Sequence, residues 1–432
     1  MLIRRLVSTV LAMVVVTPLV VGCGRAALPA IRPSSPPAIR PPSPPGKAAA
    51  IDRYRLLRLS PQAEVAFTRG TVVWRVVPPD LPRTGPVPLI PFLRFDVATG
   101  TTTQDDWLTS LLGGRRIDTW MLAGDAVAWV DTSQRIATDS GAVGTAVGSV
   151  LIGARVEVAR RSSGSAQPLT RTSWGTASDT SAYSPGAWLD AFNGRFCAFW
   201  DLAMGRNGTG LSAHPGPTSG LWVVNVATGG RERINRRGLG WGVLAFGPGS
   251  VWLGRNLGAA SNAGGRVIGE TAPGPGSQTI QVTDVALGGV HTLQASGPAA
   301  ADRATLAFTA QPPHATDYVD AHVWAYAIGN GKFTQLSSAP GGQHAAAVGN
   351  DIVVWIDGRR STAGQTIEDL YGYDLAGGHE FLIARNPSGH SDPANVTLCG
   401  DELFWTMQDA SGQTAFGARL VRDGGTVKVE PL

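Results

Sequence analysis

Seven times between residues 64 and 432 the chain repeats one pattern: a strand of small residues, a Gly/Asp/Asn turn, then an apolar strand carrying an aromatic. A loop, a third strand, a Gly turn and a short fourth strand complete each unit. The clearest copy runs from His344 to Ala384. One such unit cannot bury its own apolar face, so repeats of this kind must stack on their neighbours, and that sets the architecture before any local assignment.

The aromatics of the second strands are Trp74, Trp129, Phe199, Trp252, Phe308, Trp355 and Trp405. Five residues before each stands a turn, at Arg69, Gly124, Gly194, Gly247, Arg303, Asn350 and Gly400. The offset is constant while the spacing between units varies, so the geometry inside each unit is fixed and its loops are free to differ. Third strands recur around Asp96, Glu157, Asn225, Asp284, Ile328, Asp374 and Asp423, with glycine placed after them for a hairpin turn of positive φ. Four short strands per unit make one blade. The chain therefore reads as all-β, a β-propeller of seven four-stranded blades over residues 51–432, six being the alternative count. The last unit carries its own final strand, Thr426 to Pro431, so no strand exchange between the termini is evident; residues 52–59 could still pair with the outer edge of a terminal blade.

The N-terminal segment places the chain. Arg4 and Arg5 precede an apolar run from Leu6 to Val21 that ends at Gly22-Cys23. The run is shorter than the ~20 residues of a spanning helix and contains Pro18, so residues 1–22 read as an export signal. Residues 24–50 are rich in proline and lack an apolar period, which favours extended polyproline II; with Cys23 they form a tether of residues 23–50.

Composition excludes several classes. Net charge is +4, with no basic cluster, so nucleic acid is not an expected partner. The seven histidines show no His-x-x-x-His spacing and no Cys-x-x-Cys is present, so neither a metal nor a cofactor is expected. No Gly-x-Ser-x-Gly elbow marks a serine hydrolase. Cys197 and Cys399 fall in the third and seventh units, which a seven-bladed ring keeps apart, so both are expected as free thiols.

The polar candidates lie where second strands end. Asp follows the aromatic by two residues at Asp131, Asp201 and Asp357, and Arg359 follows the last of these. Such an aspartate either closes its strand by bonding loop amides and arginine, or contributes to a rim of ligand-binding carboxylates. Long insertions between second and third strands, 132–154, 202–220 and 254–278, must emerge from one face of the ring and add Arg206, His214 and Arg255 as candidate binding residues. No catalytic set is identified.

Two resemblances extend this reading. Val20-Val21-Gly22-Cys23 resembles a bacterial lipobox, which implies lipidation of Cys23 and anchoring to the outer face of the plasma membrane, or to the outer membrane of a Gram-negative cell. The sixth unit resembles a blade of the TolB-like (WD40-like) propellers of bacterial envelopes through Asp357, Arg359, Asp369-Leu370-Tyr371, Asp374-Leu375 and Gly377. Units one, three and four match in the third-strand hairpin. This resemblance implies a monomeric, non-catalytic lipoprotein that binds an envelope protein, a peptide or a wall polysaccharide. The alternative is a propeller enzyme, a polysaccharide lyase or glycosidase, which needs paired carboxylates or a His/Arg set at the axis.

Overall fold

The structure, a computed structural model, describes residues 51–81, 86–132, 136–137, 150–151, 155–169, 183–207, 210–213, 220–233, 241–246, 251–256, 278–283, 290–295, 299–310, 321–362, 365–387 and 390–432. Seven antiparallel sheets of four or five strands follow one another along the chain, spanning 63–104, 117–168, 183–233, 241–295, 299–335, 343–384 and 394–431. The chain is a seven-bladed propeller.

Second strands are apolar on both faces because each blade lies between two others. Ala126–Asp131 is buried throughout, and Thr71–Val76 is buried up to its last residue. The expected aromatics all occupy second strands, and Trp74, Trp129, Phe199, Trp355 and Trp405 face the preceding blade. Trp129 packs with Val73 and Phe92 of blade 1, and Trp355 with Ala307 and Val323 of blade 5. Their strand neighbours Ala128 and Val354 pack the other way, towards blades 3 and 7. At the ends of third strands, Asp96, Asn225 and Asp374 accept amide hydrogen bonds from Thr99, Ala227 and Ala376 at 2.9, 3.0 and 3.1 Å. Gly100, Gly229 and Gly378 then take φ of 66°, 69° and 69°, which a residue with a Cβ adopts at a cost.

The ring closes on itself. Inner strands of adjacent blades touch all the way round, and Ala63–Thr68 of blade 1 lies against Ala394–Cys399 of blade 7. At that seam Phe67 and Phe404 stack with centroids 5.3 Å apart, Trp74 joins the same cluster, and the Gly70 amide donates to Glu402 Oε2 at 2.5 Å. The N-terminal strand Arg55–Leu59 completes the closure. It pairs with the first half of the long strand Gly412–Asp423, Arg58 opposite Thr414, while Thr426–Pro431 pairs with the second half. Tyr54, 1% exposed, packs edge-on against Trp405 at 5.9 Å. A Cβ at Gly417 would come within 2.8 Å of both Leu56 and Leu432, so glycine there lets the two outer strands meet end to end.

Two features depart from the repeat. Asp106–Leu112 forms a helix in the link between blades 1 and 2, capped by Asp105, with Leu108 and Leu112 fully buried in the wedge. Its Asp-Asp-Trp-Leu-Thr-Ser-Leu-Leu run holds an N-cap residue and leucines four apart, the pattern of a short amphipathic turn. In blade 3 part of the insertion extends the sheet, the second strand continuing to Asn207 and pairing back with Gly210–Ala213. Blade 2's insertion contains the small pair Ile136–Ala137 and Val150–Leu151. Among the described residues the two cysteines are free, Cys197 buried and Cys399 half-buried.

Candidate functional site

The second-to-third-strand loops and the links between blades emerge at one end of the ring, and the aspartates there serve as caps. Asp357 is fully buried. It accepts the Trp355 indole N–H at 2.8 Å, the Arg359 amide at 2.9 Å, and Arg359 Nε and Nη2 at 2.8 Å each. Arg359 also lies 3.8 Å from the Tyr371 ring centroid and donates to Glu380 at 2.7 Å. Burial works against its charge, but the hydrogen bonds to Asp357 and Glu380 more than restore it, and the guanidinium is held above its ordinary range. Asp369, also fully buried, takes Arg360 and the Asn386 amide. In blade 2 the same geometry draws its arginine from the incoming link: Arg115 donates to Asp131 at 2.7 Å and Glu157 at 3.0 Å, 5.8 Å from the Trp129 ring centroid. These charge-assisted pairs close the ends of the wedges between blades.

The candidate residues are thus distributed around the ring. Asp131, Asp201 and Asp357 belong to blades 2, 3 and 6. Asp201 is half-buried within its strand, opposite Ala187 and Gly220. Arg206 lies opposite Leu211 in blade 3, and Arg255 opposite Trp241 and Thr279 in blade 4. His214 and Cys23 lie outside the described residues.

A different group converges beside the axis. His344 is the second residue of the inner strand Gln343–Gly349 of blade 6, Glu368 directly precedes the third strand of that blade, and Asp392 lies in the link to blade 7. His344 Nε2 stands 3.8 Å from Glu368 Oε1, and their side chains are 29% and 17% exposed. That separation is a contact longer than a hydrogen bond. The buried carboxylates Asp131, Glu157, Asp357 and Asp369 each hold an arginine at this end. Among the described residues Glu368 and Asp392 hold none. Burial, with Asp392 and Asp357 nearby, pushes Glu368 up to about 7. Burial also raises Asp392 against the pull of His344, and lowers His344 against the pull of Asp392. Two acids and an imidazole therefore share a poorly solvated corner, a setting suited to binding a donor or moving a proton. No group of three His, Cys, Asp or Glu among the described residues has the geometry to hold a metal ion.

Sequence reasoning marked His344 as the start of the clearest repeat and Asp369 as part of its third strand. It did not find Asp392, because the group comes together from three segments that only the ring geometry joins. The raised Glu368 carboxyl makes a prediction. The folded state binds this proton more tightly than the unfolded chain, so its stabilising contribution is complete below about pH 4.5 and lost as pH rises through about 7. Glu368→Gln is expected to remove that slope, on the order of 2 kcal/mol, and to exceed the unsubstituted chain in stability above pH 7. Denaturant midpoints from pH 4.5 to 8 measure it; parallel profiles for the two chains would contradict it.

No family model and no curated protein matches the chain. Solved structures with a similar course include the β-propeller domain of the trilobed protease from Pyrococcus furiosus, at 10% identity and TM-score 0.47, covering 86% of this chain and 96% of that one. An oligogalacturonate lyase from Vibrio parahaemolyticus aligns at 10% identity and TM-score 0.48, covering 85% and 93%. The acylaminoacyl peptidase of Pyrococcus horikoshii aligns at 10% identity and TM-score 0.45, covering 72% of this chain and 46% of that one.

Proposed function

We infer that the chain is a TolB-like, non-catalytic cell-envelope lipoprotein, held at the membrane by lipid on Cys23, whose propeller binds an envelope protein, a peptide or a wall polysaccharide. Its N-terminal residues supply the export signal and a proline-rich tether. The observation that carries the binding role is the pair of half-buried acids Glu368 and Asp392, which hold no arginine among the described residues, grouped with His344 at the axial end. A partner that brings hydrogen-bond donors or positive charge to these half-buried acids relieves their desolvation, which every other buried acid named at that end has already relieved with an arginine. The Asp-x-Arg pair at Asp357 and Arg359 supports the ring rather than this surface. One observation favours a second reading. A carboxyl raised to about 7 beside a second acid is what a general acid in a polysaccharide lyase or glycosidase requires.

One experiment separates the two. Intact cells producing the full chain, or its His344→Ala/Glu368→Gln variant, are treated with a membrane-impermeant crosslinker and supplied with labelled wall polysaccharide. The binding reading expects adducts with the unsubstituted chain, their loss in the variant, and no polysaccharide cleavage. Equal adducts in both chains contradict an axial site, and cleavage abolished by Glu368→Gln establishes the enzyme.

A further inference from the structure

At the outer rim, away from the axial group, a cleft of about 540 Å³ opens between the last two strands of blade 1, the start of the helix Asp106–Leu112, and Arg161 of blade 2. We propose that this cleft binds a neutral oligosaccharide. The proposal is independent of the axial reading.

The first argument is the chemistry of the walls. Sites for apolar small molecules are lined mainly by hydrophobic side chains with a few polar groups. Here the proportions are reversed. Arg94, Gln104 and Arg161 bring donors, Asp96 and Asp106 bring acceptors, and Thr101 and Thr103 bring hydroxyls that do both. Two guanidinium groups and three carboxylates line one space, the third being Asp105, which is 1% exposed and already taken up by Arg161 and the Leu108 amide, so the walls offer no net positive field to an anion. A ligand rich in hydroxyls, each able to donate and accept, meets partners of both kinds.

The second argument is that the walls are already fixed. Arg161 Nη2 donates to Asp105 Oδ2 at 2.7 Å, and its guanidinium lies 4.6 Å from the Trp107 ring centroid. Asp105 has a side chain 1% exposed, and its other oxygen accepts the Leu108 amide at 3.0 Å, so the arginine is held by a group that cannot move without uncapping the helix. The Arg161 side chain remains 42% exposed and keeps N–H groups for a ligand. Opposite it, Arg94 Nη2 rests on the Thr71 hydroxyl at 3.2 Å. Thr99 and Thr101 share a hydroxyl–hydroxyl bond of 2.7 Å, and Gln104 Nε2 donates to Asp106 at 3.0 Å. Donors that are positioned beforehand lose little freedom when a ligand arrives, which is the usual requirement for recognising a weakly bound, well-hydrated sugar.

The third argument is size and access. The volume lies within the range of small-molecule sites, and the strand Thr101–Gln104 that forms one wall is exposed along its whole length. The cleft therefore suits a stretch of a longer glycan passing over the rim.

The test is titration of the full chain with maltotriose, cellotriose and chitotriose as neutral probes, and with a hexuronate trimer and inorganic phosphate as anionic ones, followed by calorimetry. At least one neutral trisaccharide is expected to bind. Arg94→Ala/Thr101→Val is expected to weaken that binding at least tenfold with little change in the unfolding midpoint, since Thr101 is exposed and valine keeps strand preference, while Arg94 is half-buried and loses one side-chain hydrogen bond, to Thr71. His344→Ala is expected to leave it unchanged. Absence of binding by all three neutral probes overturns the proposal. So does binding insensitive to the rim substitutions, or an anionic probe binding more tightly than every neutral one.

Discussion

Trp355→Ala is expected to destabilise the ring by about 3–5 kcal/mol, read as a lower denaturant midpoint. The indole is fully buried in the wedge between blades 5 and 6, against Ala307, Val323 and Ala345. Its ring stacks on Tyr371 with centroids 6.2 Å apart, and its N–H donates to Asp357 at 2.8 Å. Truncation removes all of this from between two sheets whose separation is set by the other strands, so the space cannot collapse and the cost falls in the upper part of the large-to-small range. Asp357 also loses one of its donors, although Arg359 keeps its charge satisfied. A midpoint shift equivalent to less than about 1 kcal/mol would mean the wedge is not packed as described.

The architecture was legible in the sequence because its signal is repeated. A single Trp-x-Asp strand is ambiguous, but seven aromatics at a constant offset from a turn leave one kind of fold. The hairpin at Asp374–Gly378 and the turn at Asn350 could be read directly, since side chain-to-amide bonds and positive φ restrict which residues fit. The helix Asp106–Leu112 was missed because it interrupts a β repeat and is one short amphipathic stretch within a linker. Of the candidate residues, Asp131, Asp357 and Arg359 were recognised as polar positions at strand ends, and the structure engages them in capping pairs. The axial group was illegible for a physical reason. Its members are 24 residues apart in each case, at 344, 368 and 392, and meet through an inner strand, a loop and an inter-blade link whose relative placement no local pattern encodes.

The second large effect concerns how the ring is fastened. Residues from both ends of the folded chain share blade 7: Arg55–Leu59 covers one half of the outer edge of Gly412–Asp423, and Thr426–Pro431 covers the other. Tyr54 and Leu59, 1% and 6% exposed, bury apolar surface that would otherwise leave Trp405 and Phe404 at an open edge. Without this strand, blade 1 would hold to blade 7 through the Phe67–Phe404 stack and the contacts of Gly70 and Arg69 with Glu402 and Asp401. Joining the strand covalently to its neighbour closes a loop around almost the whole ring, and is expected to stabilise the protein by about 2–4 kcal/mol. Arg58 and Thr414 are directly paired, within the reach of a disulfide, and the Arg58–Asp409 pair lost in the substitution is exposed and contributes little. The ring's own thiols Cys197 and Cys399 do not compete: burial keeps Cys197 protonated and pushes Cys399 up to about 11. The decisive measurement is therefore oxidation of the folded Arg58→Cys/Thr414→Cys chain, followed by electrophoresis and a denaturant titration with and without reductant. Closure of the ring by its N-terminal strand predicts an intramolecular crosslink in nearly every molecule and a higher midpoint that reduction reverses. Both introduced thiols remaining free in the folded chain, or a crosslink formed only between molecules, would contradict it.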